Sequence, residues 1–323
     1  MNDLECLIAR LLAGDRAALA RVISLIQRDP EVAARIDPAI AAASGRAYTV
    51  GITGAPGAGK STLLGALLLD ALSRSQRSAV LALDPESPIS GGAILGDRVR
   101  MERAAADDRV FVRSVTAEAS AGGLSTAAPL IVRALDAAGW PWIMIETVGI
   151  GQTELSIVDA AATTIVVLTP GFGDEVQSIK AGLMEVGDVF VINKADRPGL
   201  AQTRRDLEHA LAHSPRRDWQ PPILDAIATE PTGVAPIWEA IYAHRMHLER
   251  IGALAFQRRR FLRLAVRALA ERATRDRLQA YLDGAGIALL ERVDRREISL
   301  TSACAEVLRA IGAAEPPPGA SAL

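Results

Sequence analysis

The stretch "GITGAPGAGKSTLLGALLLDAL", residues 51–72, sets Gly51, Gly54, Gly57 and Gly59 ahead of Lys60, between an apolar run and a helix-like one. Gly54, Gly59, Lys60 and Ser61 fit the spacing G-x-x-x-x-G-K-[ST], and the strand-then-helix flanks are the context that motif requires. Such a loop, here Gly54, Ala55, Pro56, Gly57, Ala58 and Gly59, turns backbone N–H groups inward around phosphate oxygens, and the following helix adds its positive end. Lys60 is then expected to reach the β- and γ-phosphates, Ser61 to ligate Mg²⁺, and Thr62 to complete the contacts on the first helical turn. A turn that merely joins a strand to a helix would need the spacing, the lysine and both flanks to be accidental. The expected occupant is a nucleoside triphosphate.

The base is read further along. "VFVINKAD", residues 189–196, ends an apolar strand in Asn193, Lys194 and Asp196, an N-K-x-D pattern. The Asp196 carboxylate can accept from both guanine N1–H and the exocyclic amine, whereas adenine would present it with an acceptor. A site built on such bonds rejects an analogue that leaves its polar groups unpaired. GTP is therefore expected over ATP, although four letters alone also fit a helix cap. "DAIATEPTG", residues 225–233, is expected to bring the Ala228 backbone N–H to the base.

Between these motifs, "WIMIETVGIGQTE" is a buried strand ending in Glu146, with Gly149 three residues on. A carboxylate there can hold Mg²⁺ through water, and the Gly149 N–H can sense the γ-phosphate; the alternative is a solvated loop glutamate. Ile150 stands where many signalling GTPases carry a water-orienting glutamine, with Gln152 two places further. Slow intrinsic hydrolysis follows, with the rate dependent on a partner or on dimerisation. "ALDPESPISGGAILGDRVRM" adds Asp84 at a strand end and Asp97 in a glycine-containing loop, each able to address Mg²⁺ or water, or to cap a helix. The catalytic set expected is Lys60, Asp84, Asp97 and Glu146.

Outward from the loop, "AYTVGIT", "AVLALD", "VFVRSV", "WIMIET", "TTIVVLT" and "VFVIN" are strand candidates, and "PILDAI" is a weaker seventh. Near-continuous apolar strands alternating with helices predict an α/β fold, a mostly parallel sheet covered by helices on both faces. Residues 1–45 read as a helical extension, 46–235 as the P-loop core, 236–312 as a C-terminal helical region, and "AAEPPPGASAL" at 313–323 as a disordered tail. Phe261, Leu262, Ala265, Val266 and Leu269 fall on one face of a long amphipathic helix, which can cover its own core or a second copy. Arg258, Arg259, Arg263, Arg267 and Arg272 are left for the other, solvated face.

Composition narrows the function classes. The chain of 323 residues is 50% hydrophobic but only 4% aromatic, so Ala, Val, Ile and Leu must build the core. A formal net charge of −2 gives no global field for nucleic acid or anionic lipid. The two cysteines, Cys6 and Cys304, make no metal-ligand spacing or disulfide framework, and neither a signal core nor a transmembrane span is found. A cytoplasmic protein that binds neither nucleic acid nor membrane is expected.

Four blocks together, "GITGAPGAGKSTL", "DPESPISGGAILGDRVRM", "IETVGIGQTE" and "TPGFGDEVQSIKAGLMEVGDVFVINKAD", resemble the MeaB/ArgK-like GTPases. The resemblance implies a P-loop GTPase acting as a homodimer through its C-terminal helices. It further implies a chaperone that gates adenosylcobalamin delivery to a separate acyl-CoA mutase, protects that enzyme and helps replace damaged cofactor. Carried over, Lys60 and Ser61 serve phosphates and Mg²⁺, Asp84, Asp97 and Glu146 the metal and water, and Asn193 and Asp196 the base. Asp174, Glu175, Gln177 and Lys180 resemble an additional switch that relays the nucleotide state to the mutase, though Asp174 also fits a helix cap. Phe172, Glu86 and "TAEASAGGLS" depart from the family pattern, which leaves the identity of the mutase open.

Two other classes share parts of this pattern. A nickel-delivery GTPase for hydrogenase or urease maturation would need a metal site. His209, His213, His244 and His247 offer helix-compatible pairs but no accompanying cysteine, and are expected on the surface. A kinase acting on a transport protein would transfer phosphate to protein rather than to water.

Overall fold

All seven strand candidates become strands of one parallel sheet in this computed structural model. It describes residues 3–85, 96–117, 127–147, 153–171, 183–213, 218–230 and 232–312, with only the backbone given for 84–85, 96–100, 117, 153–156 and 183. Helices α1 (Asp3–Leu12), α2 (Arg16–Arg28) and α3 (Pro30–Ala41) precede β1 (Tyr48–Gly54) and α4 (Lys60–Ser73). Then follow β2 (Ser78–Pro85), α5 (Gly96–Ala105), β3 (Val110–Ala117), α6 (Ala128–Ala137), β4 (Trp142–Glu146) and α7 (Thr153–Ala160). The sheet is completed by β5 (Thr163–Leu168), α8 (Leu183–Val186), β6 (Val189–Asn193), α9 (Leu200–Ala212) and β7 (Ile223–Ala226). Helices α10 (Val234–Arg250), α11 (Leu254–Asp283), α12 (Gly286–Asp294) and α13 (Leu300–Gly312) end the described chain.

The strand order is β3-β2-β4-β1-β5-β6-β7. Register fixes the faces: Val50 pairs with Met144 and Ile52 with Glu146, so these side chains share one face. On that face Val50, Ile52, Met144, Leu63, Leu67 and Trp238 form one buried cluster, which places α4 and α10 over it. The opposite face carries Val166, Leu168, Phe190 and Ile192 packed with Leu207 of α9. Gly51 points there too, and an added Cβ would come within 2.6 Å of Ile157, so glycine lets α7 lie close on β1. Asp15 and Asp29 begin α2 and α3 by accepting two backbone N–H bonds each.

Chain contacts divide the protein into two compact units, Met1–Leu264 and Ala265–Leu323. Within the first, α10 belongs to the core: Ile237, Trp238 and Ile241 are fully buried, and Trp238 Nε1 donates to Leu67 O at 2.9 Å. The second has a small core of Leu289, Ala303 and Val307. Of the expected apolar stripe, Ala265 is buried but Val266 is 68% exposed, as are Leu300 (75%) and Leu308 (60%) in later helices. Among the described residues no helix is long and apolar enough to cross a membrane.

His244 and His247 correct the expectation of surface histidines: both are buried, because α10 turns that face onto the sheet. His244 Nδ1 lies 2.9 Å from Thr163 Oγ1, which lies 2.7 Å from the Tyr48 hydroxyl. Trp219 closes over both imidazoles at ring-centre distances of 4.9 and 5.4 Å.

Candidate functional site

Successive strands build outward from β1 on one side as far as β3. The chain then inserts β4 and crosses to β5 on the other side. Open α/β sheets bind ligands at such a reversal, beyond the carboxyl ends of the strands. The loop 54–59 leaves β1 at this point. Gly54 has φ +140°, and an added Cβ would run into the Val167 carbonyl of β5. Gly59 has φ +89°, and its Cβ would fall on Asn193 Nδ2. Both positions therefore require glycine, for backbone conformation and for space alike. Gly59 caps α4 with no side-chain hydrogen bond, consistent with a helix N-terminus shaped for an anion.

Lys60 is buried, and its Nζ donates to Gly54 O at 2.8 Å and Ala55 O at 3.0 Å, folding the ammonium across the loop. Ser61 Oγ donates to Glu146 Oε1 at 2.7 Å. That bond joins the start of α4 to the end of β4, where Glu146 is only 2% exposed. A hydroxyl and a carboxylate beside the phosphate loop are the hard oxygen donors Mg²⁺ prefers, so these residues fit the ion. Thr147, which sequence reading did not single out, bonds through Oγ1 to Thr53 Oγ1 at 3.2 Å and fixes the exit from β4; no sequence pattern flags such a contact between neighbouring strand ends.

Ala82 pairs with Glu146, so Asp84 stands two residues further along the adjacent strand, at the same sheet edge. Asp97 lies in the first turn of α5. Gly149, Ile150 and Gln152, like Asp174, Glu175, Gln177 and Lys180, Phe172, Glu86 and the tail 313–323, lie outside the described residues.

On the base side, Asn193 is buried and spans two loops: Nδ2 donates to Ala58 O at 2.9 Å, and Oδ1 accepts from Ala228 N at 3.1 Å. Both its polar ends are thus engaged by backbone. Ala228, expected to turn its N–H to the base, turns it to Asn193 here. Lys194 takes the left-handed region at φ 58°, a costly conformation for a side-chain-bearing residue, and its Nζ donates to Gly57 O at 2.6 Å. Asp196 follows, exposed, with its carboxylate open to a ligand. The structure brings together the loop, the β4 end and the N-K-x-D turn through the Ser61–Glu146, Asn193–Ala58 and Lys194–Gly57 hydrogen bonds.

The histidines divide differently. The rings of His209, on α9, and His213, the residue that caps its end, lie 4.3 Å apart between centres and tilted by 38°, whereas His244 and His247 of α10 are buried. Among the described residues no three His, Cys, Asp or Glu side chains gather as a metal site.

The model of the family "Methylmalonyl Co-A mutase-associated GTPase MeaB" matches residues 19–283. A Pyrococcus abyssi protein described as a GTPase is 42% identical over 310 residues, spanning 94% of this chain and 96% of its own. The mouse methylmalonic aciduria type A homolog, a mitochondrial protein, is 32% identical over 267 residues, 77% of this chain and 64% of its own. The crystal structure of a LAO/AO transport system kinase superposes with a TM-score of 0.69 at 28% identity, over 97% of this chain and 99% of that one. On this match, over most of its length and through the phosphate loop, the chain belongs to the methylmalonyl-CoA mutase-associated GTPase family MeaB.

Proposed function

We propose that this chain is a cytoplasmic GTPase that gates the loading, protection and reactivation of adenosylcobalamin on a separate acyl-CoA mutase, methylmalonyl-CoA mutase or a related enzyme. The observation that carries the nucleotide chemistry is the Ser61–Glu146 hydrogen bond at the mouth of the phosphate loop. Mg²⁺ held by Ser61 and Glu146, with Asp84 and Asp97 as further carboxylates, would neutralise charge across the β- and γ-phosphates. Lys60 exchanges its loop carbonyls for phosphate oxygens, Asn193 keeps base turn and loop in register, and Asp196 selects guanine. With Ile150 after Gly149, water is poorly oriented and hydrolysis is slow until a partner completes the site.

The family's own description supports a mutase as that partner. Asp174, Glu175, Gln177 and Lys180 are the residues assigned to relay the nucleotide state. Adenosylcobalamin stays with the mutase, and no step on this chain requires it. The exposed Val266, Leu300 and Leu308 support self-association into a homodimer.

Regulation of this kind needs a mutase that binds the GTP and GDP states with different affinity, and reciprocity then requires the mutase to alter nucleotide affinity. The test mixes purified chain with purified methylmalonyl-CoA mutase, following phosphate release and mutase affinity with a non-hydrolysable GTP analogue and with GDP. Faster phosphate release and state-dependent affinity are expected. Equal affinity in both states overturns the reading, and phosphate recovered on protein rather than in water favours a kinase.

A further inference from the structure

We propose that a cavity at the amino edge of the sheet, opposite the nucleotide site, binds a small amphiphilic anion: an apolar body bearing a single carboxylate or phosphate head. The cavity encloses about 400 Å³ between the approach to β1, the last turns of α6, α7 and α10, and the first two turns of α11. That volume lies in the range of small-molecule sites. Its body is apolar, lined among others by Ala47, Val132, Ala161, Leu254 and Phe261.

The walls are built rather than incidental. The Asp136 carboxylate accepts backbone N–H bonds from Gly45, from Arg46 at 3.1 Å and from Ala47 at 2.9 Å, clamping the approach to β1. Ala162 N donates to Thr49 O at 2.9 Å, fixing the turn after α7. Arg245 lies over the Tyr48 and Trp142 rings, 5.3 Å from each centre, and its Nε donates to Glu249 at 2.9 Å.

The balance of charge then selects the ligand. Each acid in the lining is engaged: Asp136 by the three backbone groups, Glu249 by Arg245, and Asp159 by Arg260 at 2.8 Å. Arg133 is paired outward with Asp37 at 2.5 Å. Arg46 and Arg258, both exposed, line the same cavity and have no carboxylate partner among the described residues. Two uncommitted guanidiniums around an apolar body favour an anionic head over a cationic or neutral one, and the planar fork suits carboxylate or phosphate. Nothing in this placement depends on the GTPase reading.

The test is calorimetric titration of the full chain with its nucleotide site saturated by GDP and Mg²⁺, using hexanoate and phenyl phosphate as probes. Inorganic phosphate and hexanol supply head and body separately. Hexanoate or phenyl phosphate should bind at one per chain, at least about tenfold more tightly than either control, the scale of a charge-assisted hydrogen bond. Arg46→Ala and Arg258→Ala, at exposed positions, should each weaken binding by about that factor with an unchanged melting temperature. Lys60→Ala should leave hexanoate binding unaltered, which separates this site from the phosphate loop. Absence of saturable binding, or affinity unmoved by both arginine substitutions, overturns the proposal. So does a lower oligomeric mass in the arginine variants without probe binding, since a second copy of the chain would then be the occupant.

Discussion

Asn193 Nδ2 donates to the carbonyl of Ala58 at 2.9 Å, so the strand that ends in the base-recognition turn is pinned to the phosphate loop. Because Asn193 Oδ1 also takes the N–H of Ala228, one amide holds three segments that sequence places far apart. Asn193→Ala leaves a buried carbonyl and a buried N–H without these bonds. A loss of about 1–3 kcal/mol is expected. Urea unfolding should show it, and nucleotide titrations should show GTP and GDP both weakened; an unchanged unfolding midpoint would remove Asn193 as a strut.

Asp196 predicts a different pattern, a change in selectivity without a change in stability. Its carboxylate is exposed beyond the strut, so Asp196→Asn should leave unfolding unaltered while weakening GTP by at least about tenfold. Xanthosine triphosphate, which offers an acceptor where guanine has an amine, should gain. Competition titrations with GTP, ATP and xanthosine triphosphate decide it: unchanged discrimination would take Asp196 out of base recognition.

Much of this was legible in the sequence because each signal is local. Strands such as "TTIVVLT" and "VFVIN" are apolar on both faces, and Gly54, Gly59, Lys60 and Ser61 announce a loop whose geometry tolerates few substitutes. The strand order was not legible: a run buried on both sides, such as Ile143–Met144–Ile145, has no alternation to say which neighbours it takes. The histidines of α10 were misread for a related reason. His244 sits at helical spacing among Ile241 and Leu248, and its burial comes from long-range partners that spacing does not show, Thr163 on the sheet side and Trp219 against the ring. Nor could spacing reveal that Asn193 spends both polar ends on backbone, since Ala58 lies 135 positions away.

Ser61 and Glu146 make a metal prediction. If their 2.7 Å hydrogen bond marks the pair that holds Mg²⁺, Ser61→Ala and Glu146→Gln should each lower GTP turnover at physiological Mg²⁺ and raise the Mg²⁺ concentration for half-maximal turnover. A shift of at least about tenfold corresponds to losing one charged or hydroxyl donor. Magnesium titrations of phosphate release read this directly. A turnover loss that no Mg²⁺ concentration relieves, with the half-saturation point unmoved, would assign the pair to folding rather than to the ion.

His244 makes stability depend on acid. Burial first, and His247 nearby second, push its pKa from 6.5 down to about 4. It is therefore neutral at pH 7, and the Asp188 carboxylate 3.6 Å from its Nε2 is a polar neighbour rather than an ion-pair partner there. A depressed histidine pKa means that the unfolded chain takes up the proton first. The contribution is fully present above pH 6.5 and is lost as pH falls towards 4. From the separation of those values it reaches up to about 3 kcal/mol. His244→Gln keeps a polar group beside Thr163 but cannot titrate, so its stability should fall less steeply between pH 6.5 and 4 than that of the wild type. Urea midpoints across this interval provide the measurement, and parallel acid limbs in the two proteins would show that His244 is not the group being protonated.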